Sequence, residues 1–145
     1  MEYRDATATD CPLLAELNHQ LIRDEGHPNP MNVAELEERM RGWLATDYQA
    51  VIFTAGSEVA AYALYRDDGA EIYLRQFFVV RHRRREGLGR QAMRILFDKI
   101  WPKDKRLTVE VLWKNKPALA FWKAVGYEER SLALEIPPGR LTFHH

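Results

Sequence analysis

The chain has 145 residues, 46% hydrophobic and 29% charged, which predicts one domain over 1–145 with a core of its own. No stretch approaches the roughly 20 apolar residues that span a bilayer, the opening MEYRDATATD lacks a leader pattern, and one cysteine excludes a disulfide framework; a cytoplasmic protein without membrane partners is expected. Lys+Arg and Asp+Glu both number 21, yet the zero sum divides into −9 over residues 1–72 and +9 over 73–145. Such a split means either that the halves meet different partners or that acidic and basic surfaces pair across the fold.

In chain order, Tyr3–Ala6 is a short strand, and Thr9 or Asp10 caps a helix with Pro12 in its first turn and Leu13, Leu14, Leu17 and Leu21 as its buried stripe. Asp24–Met31 (DEGHPNPM) ends that helix, because its prolines cannot continue it. Asn32 with Glu35 forms a capping box for a second helix, whose Val33, Leu36, Met40, Trp43 and Leu44 face inward. Three strands follow as a meander, Gln49–Ala55, Val59–Arg66 and Glu71–Val80, rich in Val, Ile, Phe and Tyr as befits a sheet covered on both faces. A helix after Gly87 runs to Trp101, Leu107–Leu112 is a strand, Asn115 opens a helix through Val125 with Gly126 as its C-cap, and a last strand falls within Tyr127–Ile136. The fold class expected is α/β, an α+β sandwich with a mixed, mostly antiparallel sheet of six to seven strands flanked by four helices.

The chemically informative stretch is FFVVRHRRREGLGR, Phe77 to Arg90. A buried-type strand, a basic turn and a Gly-x-Gly entering a helix coincide there. A helix N-terminus offers unpaired N–H donors and the positive end of a dipole, and glycines at 87 and 89 let an anion approach the backbone. Arg84, Arg85 and Arg90 add charge, so the segment is a pyrophosphate cradle. It is no Walker A loop, lacking Gly-Lys-Ser/Thr, and its match to a dinucleotide fingerprint is weak. Nucleic-acid binding through Arg81–Arg85 is not expected, because the strand buries Phe77 and Phe78 instead of presenting them for stacking.

Arg84-Arg85-Glu86-Gly87-Leu88-Gly89 resembles the Arg/Gln-x-x-Gly-x-Gly/Ala signature of the GNAT superfamily of acyl-CoA-dependent N-acetyltransferases. Asn115-x-x-Ala118-x-x-Phe121-Trp122-x-x-x-Gly126-Tyr127 is similar to that family's second block, and the element order agrees. The resemblance implies acetyl-CoA as co-substrate, no metal, and fourth and fifth strands that splay to admit the pantetheine. It implies that the backbone of Arg85, Glu86, Gly87, Leu88, Gly89 and Arg90 holds the pyrophosphate and that Arg84 also binds the cofactor. By the same resemblance Phe78, Val79 and Val80 pair with the pantetheine, Val79 supplies an N–H to the thioester carbonyl, and Asn115 and Trp122 complete the cofactor site. Trp122 stands where the family commonly has a tyrosine acid, and an indole N–H cannot deliver that proton.

For the base, alignment on the motif points to Tyr73, with Glu71 on the same face by period two. Arg75 and Gln76, expected on opposite faces, pair with an acid and with backbone groups respectively. The acceptor is a small-molecule or peptide amine, and Asp24, Glu25 and His27 make its loop acidic, as suits a cationic amine. The alternative is a non-catalytic acyl-CoA sensor on the same scaffold. A homodimer that completes the sheet is compatible with the shortened C-terminal segment, which Pro137-Pro138-Gly139 interrupts.

Overall fold

The computed structural model describes residues 1–84 and 86–141. Its sheet runs β1 (Glu2–Asp5), β2 (Tyr48–Ala55), β3 (Glu58–Asp67), β4 (Glu71–Val79) and β5 (Arg106–Val109), in that spatial order. The first four strands are antiparallel neighbours and β5 joins β4 in parallel, so the sheet is mixed as expected. Four helices flank it: α1 (Cys11–Asp24), α2 (Val33–Ala45), α3 (Leu88–Ile95) and α4 (Lys116–Val125). A 3-10 turn at Ala8–Asp10 leads into α1, and α3 continues as a π-helical turn over Leu96–Ile100, closed by Trp101 N–H on Leu96 O at 2.8 Å. The capping box at Asn32 and Glu35 forms in both directions, at 2.9 and 3.0 Å.

The central strands β2 and β3 are buried on both faces, which is why they are apolar runs, whereas β1 is exposed and burial alternates along β4. Leu14, Leu17, Met40, Ile52, Tyr62, Leu64 and Phe78 pack the α1–α2 side. Val51, Phe53, Ala63, Leu74, Met93, Leu96 and Trp122 pack the α3–α4 side. Successive residues of β2 thus serve opposite cores.

Five strands, not six or seven, make this sheet among the described residues. The strand expected within Tyr127–Ile136 does not form. Leu132, Leu134 and Ile136 alternate as a strand would, but they are 69%, 85% and 65% exposed. β-propensity expresses a fit to neighbouring strands; β5, the edge strand, is only four residues long, and nothing in Tyr127–Ile136 pairs with its open side. Ion pairs fix the start of the segment instead, Glu129 to Lys123 at 2.6 Å and Arg130 to Glu71 at 3.6 Å.

Two irregularities of β4 position everything that follows. Its ladder to β5 begins at Glu71↔Arg106 and stops at Leu74↔Val109, while β4 continues five residues to Val79. The fourth and fifth strands therefore separate along half of β4. Toward β3, Leu64 pairs with Gln76 and Tyr65 with Leu74, which makes Arg75 the extra residue of a β-bulge.

Candidate functional site

The N-terminus of α3 adjoins the end of β4. Gly87 is the N-cap at φ +75°, a left-handed conformation that a side chain disfavours, and as glycine it offers no cap to the helix. The first intrahelical bond runs from Gln91 N–H to Gly87 O at 3.1 Å. The N–H groups of Leu88, Gly89 and Arg90 precede it, so they lack helical acceptors and point to an anion. Glu86 and Arg90 are exposed at this turn, and Arg85 lies outside the described residues. A Gly87→Ala variant should lose roughly 1–2 kcal/mol, the cost of a left-handed alanine. At this chain length that lowers Tm by roughly 3–6 °C in a thermal melt.

Arg84 points its side chain away from this turn. Its Nε donates to Val79 O at 3.0 Å, its guanidinium lies 5.2 Å from the Phe78 ring centroid, and it pairs with Asp24 at 2.6 Å. Arg81 pairs with the other oxygen of Asp24. Partial burial opposes the Asp24 charge, but the hydrogen bonds from Arg84 and Arg81 prevail and hold its carboxyl below the usual carboxylate range. Asp24, expected to meet the acceptor, instead ties the end of α1 to the turn after β4. Glu58 does likewise for Arg83 at 3.2 Å and His82 at 3.6 Å.

On β4 the backbone direction is fixed by one bond. Val80 N–H donates to Ala60 O at 2.8 Å and is spent on β3. Alternation then turns Val79 N–H to the opposite side, where β5 has departed, and turns Phe78 with Val80 toward β3. Of the three residues expected to pair with a ligand here, Val79 is the one whose N–H faces the gap. Glu71 and Tyr73 fall elsewhere. At about 3.3 Å per residue, Glu71 is about 26 Å and Tyr73 about 20 Å along the strand from Val79. An extended strand separates both from Val79. Glu71 meets Arg130, and Tyr73 stacks under Arg66 at 5.7 Å.

The α4 side is aromatic. Asn115 caps α4, its Oδ1 accepting from Ala118 N–H at 3.2 Å, which leaves its Nδ2 for any ligand. Trp122 is 9% exposed and packs edge-on against Phe77, Phe121 and Tyr127, with centroids 5.6, 5.0 and 5.5 Å away. The Tyr127 hydroxyl is buried without a partner, and burial raises its pKa, so the phenol stays protonated. Phe121, part of the second sequence block but given no role there, stacks on Phe77 at 6.0 Å and closes on the Gly-x-Gly turn. A Cβ on Gly89 would stand 3.2 Å from Phe121 Cε1 and 3.5 Å from Val79 Cγ2. A side chain larger than a methyl at position 89 would have to displace Phe121 or Val79.

Across the sheet, on the α1–α2 face, Tyr62 is fully buried and donates to Gln76 Oε1 at 2.8 Å. Burial drives the Tyr62 pKa up, with the Glu25 charge reinforcing the shift and Arg39 opposing it. Loss of water around the Glu25 carboxyl raises its pKa; His27 opposes the shift and Asp24 reinforces it. His27 is exposed and its backbone N–H donates to Ile22 O at 3.1 Å. Arg75 shares this face with Gln76, contrary to the period-two expectation, because the bulge absorbs one residue between Leu74 and Gln76. Arg75 donates to Tyr48 Oη at 3.3 Å and finds no acid among the described residues. Cys11 is buried, and no cluster of metal-binding side chains occurs among the described residues.

A family model described as the acetyltransferase (GNAT) family matches residues 14–127. No curated protein matches the chain. Among solved structures, a mutant form of a Bacillus halodurans protein is 20% identical, with TM-score 0.77 over 94% of this chain and 99% of that one. An apo aminoglycoside 6'-N-acetyltransferase from Acinetobacter haemolyticus gives 15% identity and TM-score 0.74 over 94% and 97%. A protein from Clostridium acetobutylicum, described as a predicted acetyltransferase and solved with acetyl-CoA, gives 18% and 0.71 over 93% and 94%. At these identities the likeness is one of fold.

Proposed function

We propose, for a chain that belongs to the GNAT family of acetyltransferases, direct transfer of an acetyl group from acetyl-CoA to a primary amine, with both substrates bound together. One juxtaposition carries the reading: the uncapped N-terminus of α3 adjoins the stretch of β4 that β5 has left. The residues there fit the cofactor, since Leu88, Gly89 and Arg90 hold unspent N–H donors and Gly89 keeps its cradle free of a Cβ.

Bound acetyl-CoA would supply an activated thioester. The Leu88, Gly89 and Arg90 amides would hold its pyrophosphate, and Asn115 Nδ2 would meet the pantetheine from α4. Val79 N–H would donate to the carbonyl oxygen, where negative charge develops during acyl transfer. Arg84, fixed by Asp24 and bonded to Val79 O, positions that strand end. Glu25, on the exposed loop after α1 and with its pKa raised by partial loss of water, takes the proton as the amine adds to the carbonyl. A thiolate is a weaker base than an amine and departs without a tyrosine at position 122.

Thiol release from acetyl-CoA, followed across a panel of primary amines, tests the reading. Turnover with at least one amine is expected. A non-catalytic acyl-CoA sensor, favoured by the burial of Trp122 where a tyrosine acid would stand, instead predicts stabilisation by CoA with no turnover on any amine.

A further inference from the structure

Two arginines on the α1–α2 face of the sheet have no use in the reaction just described. Arg39 from α2 and Arg75 from the β4 bulge lie over the same ring, their guanidinium carbons 4.5 and 4.7 Å from the Trp43 centroid. Neither forms an ion pair among the described residues, although ten such pairs occur elsewhere in the fold. Placing two like charges around one indole is unfavourable unless a counter-charge joins them. Arg39 is partly desolvated, and that together with the proximity of Arg75 lowers its pKa.

The polar groups behind the pair are also incomplete. Asn18 of α1 is 1% exposed; its Oδ1 accepts from Arg39 at 3.2 Å, and its Nδ2 has no partner. The Nε of Arg39 is buried without a partner as well. A buried donor left unmatched costs more than a typical hydrogen bond returns, so this set of donors lacks an acceptor. Cation–π contact with Trp43 holds the guanidiniums but does not satisfy their N–H groups.

We propose that Arg39 and Arg75, with Asn18 behind them, bind a carboxylate on the acceptor, which is thus a small molecule carrying both a primary amine and a carboxylate. The assignment rests on the acetyl-transfer reading for the amine end only. Arg75 stands four residues before Val79, about 13 Å along the strand, and its side chain spans part of that distance. Amine and carboxylate are therefore separated by several bonds, the amine toward Glu25 and Val79 and the carboxylate toward Trp43. Arg75 is exposed, so the site is open to solution. Within the acidic loop, Asp24 is taken by Arg81 and Arg84.

The test compares ω-amino acids of increasing chain length, glycine through 6-aminohexanoate, with their carboxamides. Thiol release at saturating acetyl-CoA gives the acid-to-amide ratio of kcat/KM, and calorimetric titration without acetyl-CoA gives binding alone. The acids are expected to be preferred at least tenfold, most strongly at the longer chain lengths. That preference should collapse in Arg75→Gln and in Arg39→Gln and partly return in the lysine variants. Equal use of acids and amides, or a preference intact in both glutamine variants, overturns the carboxylate site. Calorimetry separates the two readings: acids that bind through the arginines but are never acetylated leave this site standing and remove the transferase reading. Turnover of amides equal to that of acids does the reverse. No acid binding and no acid turnover overturns the site whatever the variants' stability.

Discussion

Gly89→Val should weaken CoA binding at least 100-fold in equilibrium titration while the helices persist by circular dichroism. The alanine Cβ alone would come within 3.2 Å of Phe121 Cε1, a contact the ring can relieve by a few tenths of an ångström. Two further methyls meet Phe121 on one side and Val79 on the other, and they fill the space above the first turn of α3. Each amide hydrogen bond to a phosphate is worth about 1.5–3 kcal/mol, so displacing two accounts for the loss. Gly89→Ala should show a small effect by comparison. Unchanged affinity in the valine variant with a native-like melt would place the phosphates elsewhere.

Glu25→Gln should lower kcat/KM for the amine by roughly 10²–10⁴, the usual worth of a general base, with acetyl-CoA affinity little changed. The pH profile distinguishes this from a loss of packing. Because burial raises the Glu25 pKa, the native enzyme should gain activity through a limb that lies above the ordinary carboxylate range, and the variant should lack that limb. Stability moves the other way. A carboxyl whose folded pKa is raised is least costly when protonated, and its destabilising effect grows as pH rises through that pKa. Glu25→Gln should thus melt no lower than the native protein at neutral pH. A profile identical in both would remove Glu25 from the proton path.

The charge split read from the sequence has a structural resolution. Six of the ten ion pairs among the described residues join an acidic residue of 1–72 to a basic residue of 73–145. They are Asp24 with Arg81 and Arg84, Glu58 with His82 and Arg83, Asp67 with Lys105, and Glu71 with Arg130. Much of the asymmetry is therefore the two halves pairing across the fold, the plainer of the two meanings. Arg81 and Arg84 belong to the basic turn by sequence but to Asp24 by contact, and what remains for an anion at α3 is mainly backbone.

Local signals were enough for the elements and for the cradle. Asn32 with Glu35, Pro12, Asn115 and Gly126 mark helix ends through bonds made within a few residues, so spacing alone reveals them. Gly87 and Gly89 announce a left-handed cap and a close approach for the same reason. Three features depended on partners distant in the chain. The absent sixth strand turned on whether the last segment reaches the open edge of β5, the shared face of Arg75 and Gln76 on a bulge set by β3, and the fate of Asp24 on arginines some 60 residues away. Sequence by itself determined the order of elements through α4, the Gly-x-Gly helix start and the family, because these rest on short-range backbone chemistry. Only the tertiary structure decided which N–H faces the gap, which carboxylate is free, and which arginines lack a counter-charge, because each is a question of what the rest of the chain brings alongside.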